Sequence, residues 1–260
     1  MPKLSVITIN FNNLFGLKKT IESVINQTFR EFEYVIIDGG STDGSRELIE
    51  ANRDKITYWV SEPDGGIYNA MNKGTQKATG DFIIYMNSGD YFYDDNVLSN
   101  IIPFLNAEND IVYGDLVIVE PNRSWVKKYN EKLNFPYFIR DTLPHQGSFI
   151  RTSLLHKQQG PYDERLSICA DWKFFIDAVC KLQVKTHYVD YPISYYDYSG
   201  LSSKIENREK LLHEKRQLLK EEYAAYYEPF LNMAEENKEM RRLLKSRIVK
   251  AYLKIRGLIE

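Results

Sequence analysis

Residues 34–45 read YVIIDGGSTDGS, and this stretch decides the fold class. The apolar run at its start is typical of a parallel strand that helices cover on both faces. The glycine pair that follows can only form a turn, and a helical pattern begins at residue 45 with Ser41 or Asp43 as the expected N-cap. The stretch therefore predicts a strand, a turn and a helix of an α/β fold.

The flanking sequence continues this alternation of strand and helix patterns. Strand patterns lie at 4–9, 34–37, 56–60 and 82–86, shorter ones at 111–113 and 116–120, and helical patterns at 17–24 and 45–51. A βαβαβ order predicts an open, mostly parallel sheet with right-handed crossovers. Residues 1–120 are thus predicted to form the first lobe of an α/β domain.

The second half of the chain has a different pattern. Five prolines between residues 121 and 192 interrupt its periodicity, and we interpret 121–203 as a second lobe of the same domain. Residues 204–260 predict a helical tail, which Pro229 is expected to divide into at least two helices. Its end, 241–256, has seven basic residues and no acidic one, which fits either an anionic membrane surface or a helix packed on the catalytic lobe or on a second copy.

Composition excludes several classes of protein. A chain of 260 residues with 43% hydrophobic and 27% charged residues is expected to fold, and its net charge of −2 argues against nucleic acid as a partner. Cys169 and Cys180 are too few for a disulfide framework and indicate a reducing compartment. Since no signal peptide or membrane-spanning stretch is evident, we expect a cytoplasmic protein that can still contact a membrane surface.

Polar residues follow three of the predicted strands. Thr8 and Asn10 end the first strand, Asp38 follows the second, and 87–90 (NSGD) follows the strand at 82–86. Each is an ordinary turn former or helix cap when taken alone, but ligands of open α/β sheets bind at these strand ends. No glycine-rich phosphate loop is present, so we expect a divalent metal or carboxylates to contact the ligand's polar groups, and Asp90 can supply the contact to such a metal.

A series of short motifs runs along the chain in a specific order. The motifs are 5–12, Ser23 with 27–29, 37–45, 66–74, 87–90, 145–149, 160–164 and 170–172. They resemble those of family 2 glycosyltransferases with the GT-A fold, over residues 4 to about 95 and then to about 200. Several such motifs in the same order are a specific signal. The resemblance implies an α/β, GT-A-like open mixed, mostly parallel sheet flanked by helices, with 1–120 binding a nucleotide sugar and 121–203 an acceptor.

The resemblance also implies an activity and its residues. The activity is the inverting, metal-dependent transfer of a hexosyl or N-acetylhexosaminyl group from a nucleoside diphosphate sugar to a hydroxyl of a carbohydrate, or lipid-linked carbohydrate, acceptor. By similarity Asp171 is the general base, and Asp90 holds Mn²⁺ or Mg²⁺. The residues expected along the substrates are Thr8, Asn10, Asp38, Asp64, Asn72, Ser88, His145 and Trp172.

Two positions depart from the family's acidic motif. Asn87 and Gly89 replace acidic residues, so that only Asp90 of this motif is ionised and a further ligand, His145 or His187, is a candidate. The departures keep open a non-catalytic nucleotide-sugar-binding or assembly protein, and a nucleotidyltransferase is a third possibility.

Several residues also have purely structural interpretations. Asp171 has the position of a helix cap, and Trp172 can be a core residue instead of a sugar-stacking ring. Tyrosines at 191–198 fit either a sugar site or an edge strand, and the segment around Gly200 fits a loop that closes over the donor.

Overall fold

The structure, a computed structural model, describes residues 3–120, 122–130, 132–156, 161–197 and 205–245. The chain divides into two compact units, with the boundary between Leu211 and Leu212. The loop around Gly200, and the basic tail beyond Lys245, lie outside the described residues.

A mixed nine-stranded sheet forms the first unit in the described part of the chain. Its strands are β1 (Leu4–Asn10), β2 (Phe32–Asp38), β3 (Tyr58–Ser61), β4 (Phe82–Tyr85), β5 (Tyr91–Phe92), β6 (Ile111–Glu120), β7 (Arg123–Lys127), β8 (Ser148–Arg151) and β9 (Thr186–Asp197). Their order is β3-β2-β1-β4-β8-β6-β9-β5, and β7 pairs with β6. The predicted mixed sheet is confirmed, and its first four strands are parallel.

Helices cover this sheet. They are α1 (Leu14–Ile25), α2 (Ser45–Ala51), α3 (Ile67–Lys77), α4 (Val97–Ile101), α5 (Phe135–Arg140), α6 (Thr152–Leu155) and α7 (Ala170–Ile176), which continues into a π-helical turn. The N-cap of α2 is Gly44, not Ser41 or Asp43 as predicted, although Asp43 Oδ1 still accepts a hydrogen bond from the Ser45 amide at 3.1 Å.

The parallel strands are buried on both faces, as their apolar runs predict. Every residue of β1 is buried, and Val6 belongs to the same core cluster as Leu17 and Ile21 of α1. Ile7 points to the opposite face, where Gly74 of α3 lies so close that a Cβ there would approach Ile7 Cγ2 to 2.6 Å. Because strand side chains alternate between faces, continuous hydrophobicity is what this sandwiched position requires.

The mixed part of the sheet was harder to predict. The segments 111–113 and 116–120 form a single strand, β6, because an irregularity around Asp115 interrupts its pairing with β9 but does not end it. β8, which follows residue 120, lies between β4 and β6. The two predicted lobes therefore share one sheet, and their division at residue 120 stays a prediction.

The second unit contains most of α8 (Ile205–Glu221) and all of α9 (Ala224–Lys245). Two helices were predicted, but the interruption lies at residues 222–223 and Pro229 is inside α9. Pro229 is the sixth residue of α9, beyond the first four amides that have no partner within a helix, so it removes one internal hydrogen bond without ending the helix. Among the described residues, no helix has the length and hydropathy needed to span a membrane.

Candidate functional site

A cleft of about 930 Å³ lies at the carboxyl ends of the parallel strands. Its wall includes residues that follow each of β1 to β4, together with parts of α3, α7 and the turn at 145–147. Six of the predicted site residues line it: Asn10, Asp64, Ser88, Asp90, His145 and Asp171. The other four, Thr8, Asp38, Asn72 and Trp172, do not.

Asp171 is the second residue of α7, and Cys169 is the N-cap of that helix, so Asp171 is not the cap. Three groups hold its carboxylate. Oδ1 accepts hydrogen bonds from the Tyr68 hydroxyl at 3.1 Å and from the Trp172 amide at 2.9 Å, while Oδ2 lies 3.5 Å from His145 Nδ1. The Asp171 side chain keeps 19% of its surface exposed, towards a cleft that it lines.

The pKa of Asp171 is set by two opposing effects. Burial on its own raises the pKa of this carboxyl group. The neighbouring His145, the Trp172 amide and the Tyr68 hydroxyl outweigh burial, so that the pKa of Asp171 lies below its ordinary value. Asp171 is therefore ionised at neutral pH, which a general base requires.

His145 connects Asp171 to the loop after β4. It begins a 3-10 turn (His145–Gly147) that leads into β8, and its side chain is 17% exposed. Its Nε2 lies 3.0 Å from Asn87 Nδ2, while its Nδ1 faces Asp171. Each ring nitrogen thus faces a polar side chain among the described residues, and His145 as a metal ligand stays a prediction.

The loop at 87–90 is fixed by α1. Thr20 Oγ1 donates to the Asp90 carbonyl at 2.6 Å and accepts from the Gly89 amide at 3.1 Å, and Asn13 Nδ2 donates to the Ser88 carbonyl at 3.0 Å. Gly89 has a φ of 108°, a conformation that L side chains rarely adopt. The backbone therefore explains why glycine, and not an acidic residue, occupies this position.

Asp38 lies beneath the cleft. Its carboxylate is fully buried and accepts hydrogen bonds from the Asn10 amide (2.7 Å), the Ser61 hydroxyl (2.6 Å) and both the hydroxyl (2.6 Å) and the amide (2.9 Å) of Ser41. Burial raises the pKa of Asp38, but these donors outweigh it and hold the pKa below its ordinary value. In this structure Asp38 orients Asn10, which does line the cleft, and does not reach the cleft itself.

Asp64 follows β3 and precedes α3. Its Oδ1 accepts a hydrogen bond from the Gly66 amide at 2.8 Å, which shapes the turn that begins α3. Because Asp64 also lines the cleft, it joins Asp90 and Asp171 as a third carboxylate in the wall.

Two predicted substrate residues have structural roles instead. Thr8 is fully buried, and its hydroxyl contacts the Tyr34 hydroxyl at 3.0 Å and donates to the Met86 carbonyl at 2.8 Å. Asn72 donates to the Tyr162 carbonyl at 2.9 Å and to Glu164 Oε1 at 2.8 Å, so it attaches the segment around residue 162 to α3. Their hydrogen-bonding groups are used within the fold, and direct contact with a substrate is not supported.

Two aromatic side chains also correct the sequence predictions. Trp172 is 1% exposed, and its Nε1 donates to the Phe138 carbonyl at 2.7 Å. A ring without an exposed face cannot stack on a sugar, so Trp172 is a core residue. His187 on β9 stacks on Phe104 at 4.9 Å between ring centroids and does not line the cleft, which removes it as a metal ligand there.

The tyrosines at the end of the sheet divide between two roles. β9 pairs with β6 along most of its length and with β5 on its other side, so it is not an edge strand. Tyr195 stacks on Tyr91, with 4.7 Å between ring centroids. Among the described tyrosines of this segment, which end at residue 197, Tyr196 lines the cleft.

The sequence model described as Glycosyl transferase family 2 matches residues 5–155, more than half of the 260 residues.

The chain belongs to glycosyl transferase family 2.

Relatives of this glycosyltransferase support the assignment. A PGL/p-HBAD biosynthesis glycosyltransferase of Mycobacterium bovis (strain BCG / Pasteur 1173P2) is 30% identical over 217 residues, which cover 81% of this chain and 83% of the relative. An uncharacterized glycosyltransferase of Mycobacterium tuberculosis (strain CDC 1551 / Oshkosh) is 35% identical over 195 residues, which cover 69% of this chain and 71% of the relative.

Solved structures share the fold of this family 2 member. Residues 1–349 of S. aureus TarS in complex with UDP give a TM-score of 0.63 at 22% identity, over 75% of this chain and 60% of that chain. The mannosyltransferase PcManGT from Pyrobaculum calidifontis, in complex with GDP-Man and Mn²⁺, gives 0.57 at 16% identity, over 75% of this chain and 56% of that chain. The predicted GT-A-like fold is confirmed.

The donor set of this glycosyltransferase fits a cation that is shared with a ligand. No group of three or more His, Cys, Asp or Glu side chains is arranged as a metal site among the residues that the structure describes. Asp90 is the carboxylate that the loop at 87–90 contributes to the wall. Mg²⁺ in substrate complexes commonly takes one or two carboxylates, with phosphate and water oxygens in the remaining positions, and one carboxylate meets this minimum.

Three residues of the site were missed in the sequence. Tyr68 lines the cleft and donates a hydrogen bond to Asp171. Its position inside the 66–74 motif could have identified it as a site residue. Phe11 also lines the cleft with 65% of its surface exposed, an unusual state for a large apolar ring next to two polar motif residues. Thr20 gave no signal, because a buried threonine in a helix pattern is unremarkable.

Proposed function

We propose that this family 2 member is an inverting, metal-dependent glycosyltransferase that uses a nucleoside diphosphate sugar. The observation that carries the proposal is the presence of Asp90 and Asp171 in the wall of one cleft of about 930 Å³. The volume suits a ligand of nucleotide-sugar size. Sugar transfer needs one group that helps to stabilise the leaving diphosphate and one that removes the proton of the incoming hydroxyl. Asp90 and Asp171 are suited to these two tasks.

The charges of the side chains that line the cleft support the proposal of a bound metal ion. The described lining contains Asp64, Asp90 and Asp171 but no lysine or arginine. A diphosphate beside three carboxylates is unfavourable unless a cation neutralises it. When Mn²⁺ or Mg²⁺ is bound at Asp90, it acts as a Lewis acid towards the leaving diphosphate.

The residues of the chain have distinct tasks in the proposed reaction. The ionised Asp171 takes the proton of the acceptor hydroxyl while that oxygen bonds to the anomeric carbon and the bond to the diphosphate breaks. Direct displacement from the opposite face inverts the anomeric configuration and needs no covalent intermediate. The exposed ring of Phe11 offers a face for a nucleobase.

Asn10 is suited to shape the donor side of the cleft. Its amide nitrogen donates hydrogen bonds to Asp38 and Ser41, which fixes the side chain of a residue that lines the cleft.

We extend the proposal to a hexose or N-acetylhexosamine donor and to an acceptor of a bacterial surface glycan, including a lipid-linked one. The support is the relative named for PGL/p-HBAD biosynthesis, together with the basic residues of 241–256 that suit an anionic membrane surface. Liposome flotation of the full chain and of a chain that ends at residue 240 measures the membrane part. Equal binding of both chains would remove it.

A donor screen tests the function. UDP- and GDP-sugars with Mn²⁺ are compared by thermal shift, and the sugar that stabilises the protein is then followed for nucleoside diphosphate release. We expect release in the native protein and a loss of about 10²- to 10³-fold in Asp90→Ala, as for removal of one group that stabilises a leaving charge. Equal background release in both proteins would favour the rival that Asn87 and Gly89 support, a non-catalytic binder of nucleotide sugars.

A further inference from the structure

Asn87 occupies an acidic position of the family's motif, yet its amide nitrogen faces His145. The Nδ2 to Nε2 distance is 3.0 Å, well within hydrogen-bond range. The other ring nitrogen of His145, Nδ1, lies 3.5 Å from Asp171 Oδ2, which is ion-pair distance and longer than an ordinary N–H···O hydrogen bond. Asn87, His145 and Asp171 therefore form a continuous chain from the loop that carries Asp90 to the proposed base.

The charge of Asp171 restricts where the His145 proton can be. A neutral imidazole has one N–H donor and one lone pair. If the proton were on Nε2, the Nδ1 lone pair would face an ionised carboxylate, which is repulsive. With the proton on Nδ1, the ring donates to Asp171, and Nε2 accepts from the Asn87 amide. Both contacts of the ring are then attractive.

The opposite orientation of the Asn87 amide has a different requirement. It would direct Oδ1 at Nε2, and the ring would need a proton on both nitrogens to satisfy both neighbours. In the observed orientation, Asn87 Oδ1 is buried and has no hydrogen-bond partner in the described part of the chain. The side-chain oxygen of Asn87 thus lacks a hydrogen-bond partner in the described part of the chain, while its side-chain nitrogen faces His145 Nε2.

We propose that His145 is a positioning residue that orients Asp171 through an Nδ1–H donor, and that Asn87 holds the imidazole ring in this orientation. Asn87 then supports the proposed base and does not bind the metal ion. The inference rests on the proposed function for the role of Asp171 as base. Three donors, from His145, Tyr68 and the Trp172 amide, leave one of the roughly four lone-pair sites of the carboxylate for an acceptor hydroxyl. The departure from the family's motif is then a functional substitution.

The first test needs no substrate. The chain has four histidines, so ¹⁵N NMR of the free protein above neutral pH resolves each tautomer, and His145→Gln assigns the signals. We expect His145 as the Nδ1–H tautomer in the native protein. In Asp171→Asn, an amide donor can face Nδ1, and we expect a change to Nε2–H. An Nε2–H tautomer in the native protein, or an unchanged one in Asp171→Asn, would overturn the proposal.

The second test separates the base from the metal. Binding of UDP and of GDP with Mn²⁺ is measured by calorimetry for Asn87→Ala, Asn87→Asp and Asp90→Asn. We expect both Asn87 variants to bind the Mn²⁺-nucleotide within about twofold of the native protein, whereas Asp90→Asn loses affinity. Stronger binding by Asn87→Asp would mean that residue 87 is a lost metal ligand and would contradict the proposal.

The third test uses the donor found in the screen. His145→Ala is expected to lower kcat by about ten- to hundredfold, the usual effect of removing an orienting partner at such sites, with KM for the donor unchanged. His145→Asn, which keeps an N–H near the Nδ1 position, should recover most of that loss, and the exposed His156→Asn is the matched control. Equal losses in both His145 variants together with weaker donor binding would refute a positioning role.

If no nucleotide binds to the native protein, the proposed function is wrong. The tautomer of His145, which is measured without substrate, still tests the hydrogen-bond arrangement proposed for Asn87, His145 and Asp171. Failure of the two proposals is therefore distinguishable.

Discussion

Asp38 and Asp171 are two aspartates in similar hydrogen-bonded surroundings with different access to the cleft. Each accepts hydrogen bonds from neighbouring groups that outweigh burial and lower its pKa. Asp38 is fully buried and does not line the cleft, whereas the Asp171 side chain is 19% exposed and does. A lowered pKa and a complete set of partners therefore do not identify a reactive carboxylate. Access to the cleft separates the two.

The difference arises from where the donors lie. The donors of Asp38, from Asn10, Ser41 and Ser61, come from the ends of neighbouring strands and the loop between them, and they enclose the carboxylate. Those of Asp171 come from α3, α7 and the turn before β8. We infer that Asp38 maintains the shape of the site while Asp171 acts in it, and substitutions can test each half of this contrast.

The largest expected effect is that of Asp171→Asn. Loss of the base should lower the rate of sugar transfer by about 10²- to 10⁴-fold. The free energy of unfolding should change by less than about 1 kcal/mol, since an amide oxygen can still accept from Tyr68 and Trp172. Single-turnover transfer and urea denaturation measure the two quantities. A large loss of stability with a normal rate of sugar transfer would show that Asp171 has a structural role and would contradict its role as the base.

Asp38→Asn should have the opposite profile. An amide NH₂ in place of a carboxylate oxygen would face a donor that cannot reorient, such as the Ser41 amide, and leave it unsatisfied. We expect the free energy of unfolding to fall by about 1–3 kcal/mol. Urea denaturation measures this change, and the exposed Asp54→Asn is the matched control. An unchanged stability together with lost donor binding would show that Asp38 contacts the donor directly, as the family resemblance predicts.

Gly89→Ala tests the backbone of the loop at 87–90 without changing a charge. A side chain at a φ of 108° is strained, and we expect a loss of about 1–2 kcal/mol in the free energy of unfolding. Asp90 is attached to the same loop, so Mn²⁺-dependent nucleotide binding should weaken as well. Thermal unfolding and calorimetry measure these effects, with Gly65→Ala as the control, since a Cβ at residue 65 makes only ordinary contacts and its φ is not in the positive range. Equal losses in the two variants would remove the special role of residue 89.

The smallest expected effect concerns pH. Because the pKa of Asp38 is lower in the folded protein than in the unfolded chain, its contribution to stability is complete above about pH 4 and is lost as pH falls through the folded pKa. Asp38→Asn should therefore lose less stability than the native protein between about pH 5 and pH 2. Denaturant titrations at several pH values compare the two slopes. Identical slopes would indicate that Asp38 is not ionised in the folded state.

Much of the fold was readable from the sequence. Runs such as Val6 to Ile9 and Tyr34 to Ile37 predicted buried parallel strands, because only such strands need apolar residues on both faces. The mixed part was less readable. β6 was predicted as two short strands, since the sequence around Asp115 does not show that pairing resumes beyond an irregularity. Pro229 was expected to interrupt the tail, but α9 continues through it.

The sequence by itself determined the family, the strand ends and the motif residues that follow them, because these depend on local backbone preferences and on residue types in order. Only the tertiary structure decided which motif residues face the cleft: Asn10, Asp90 and Asp171 do, while Thr8, Asn72 and Trp172 have partners within the fold. The pairing of Asn87 with His145 is likewise tertiary, since it joins residues 58 positions apart. Contacts between distant segments depend on how the sheet is assembled, and residue order does not encode them locally.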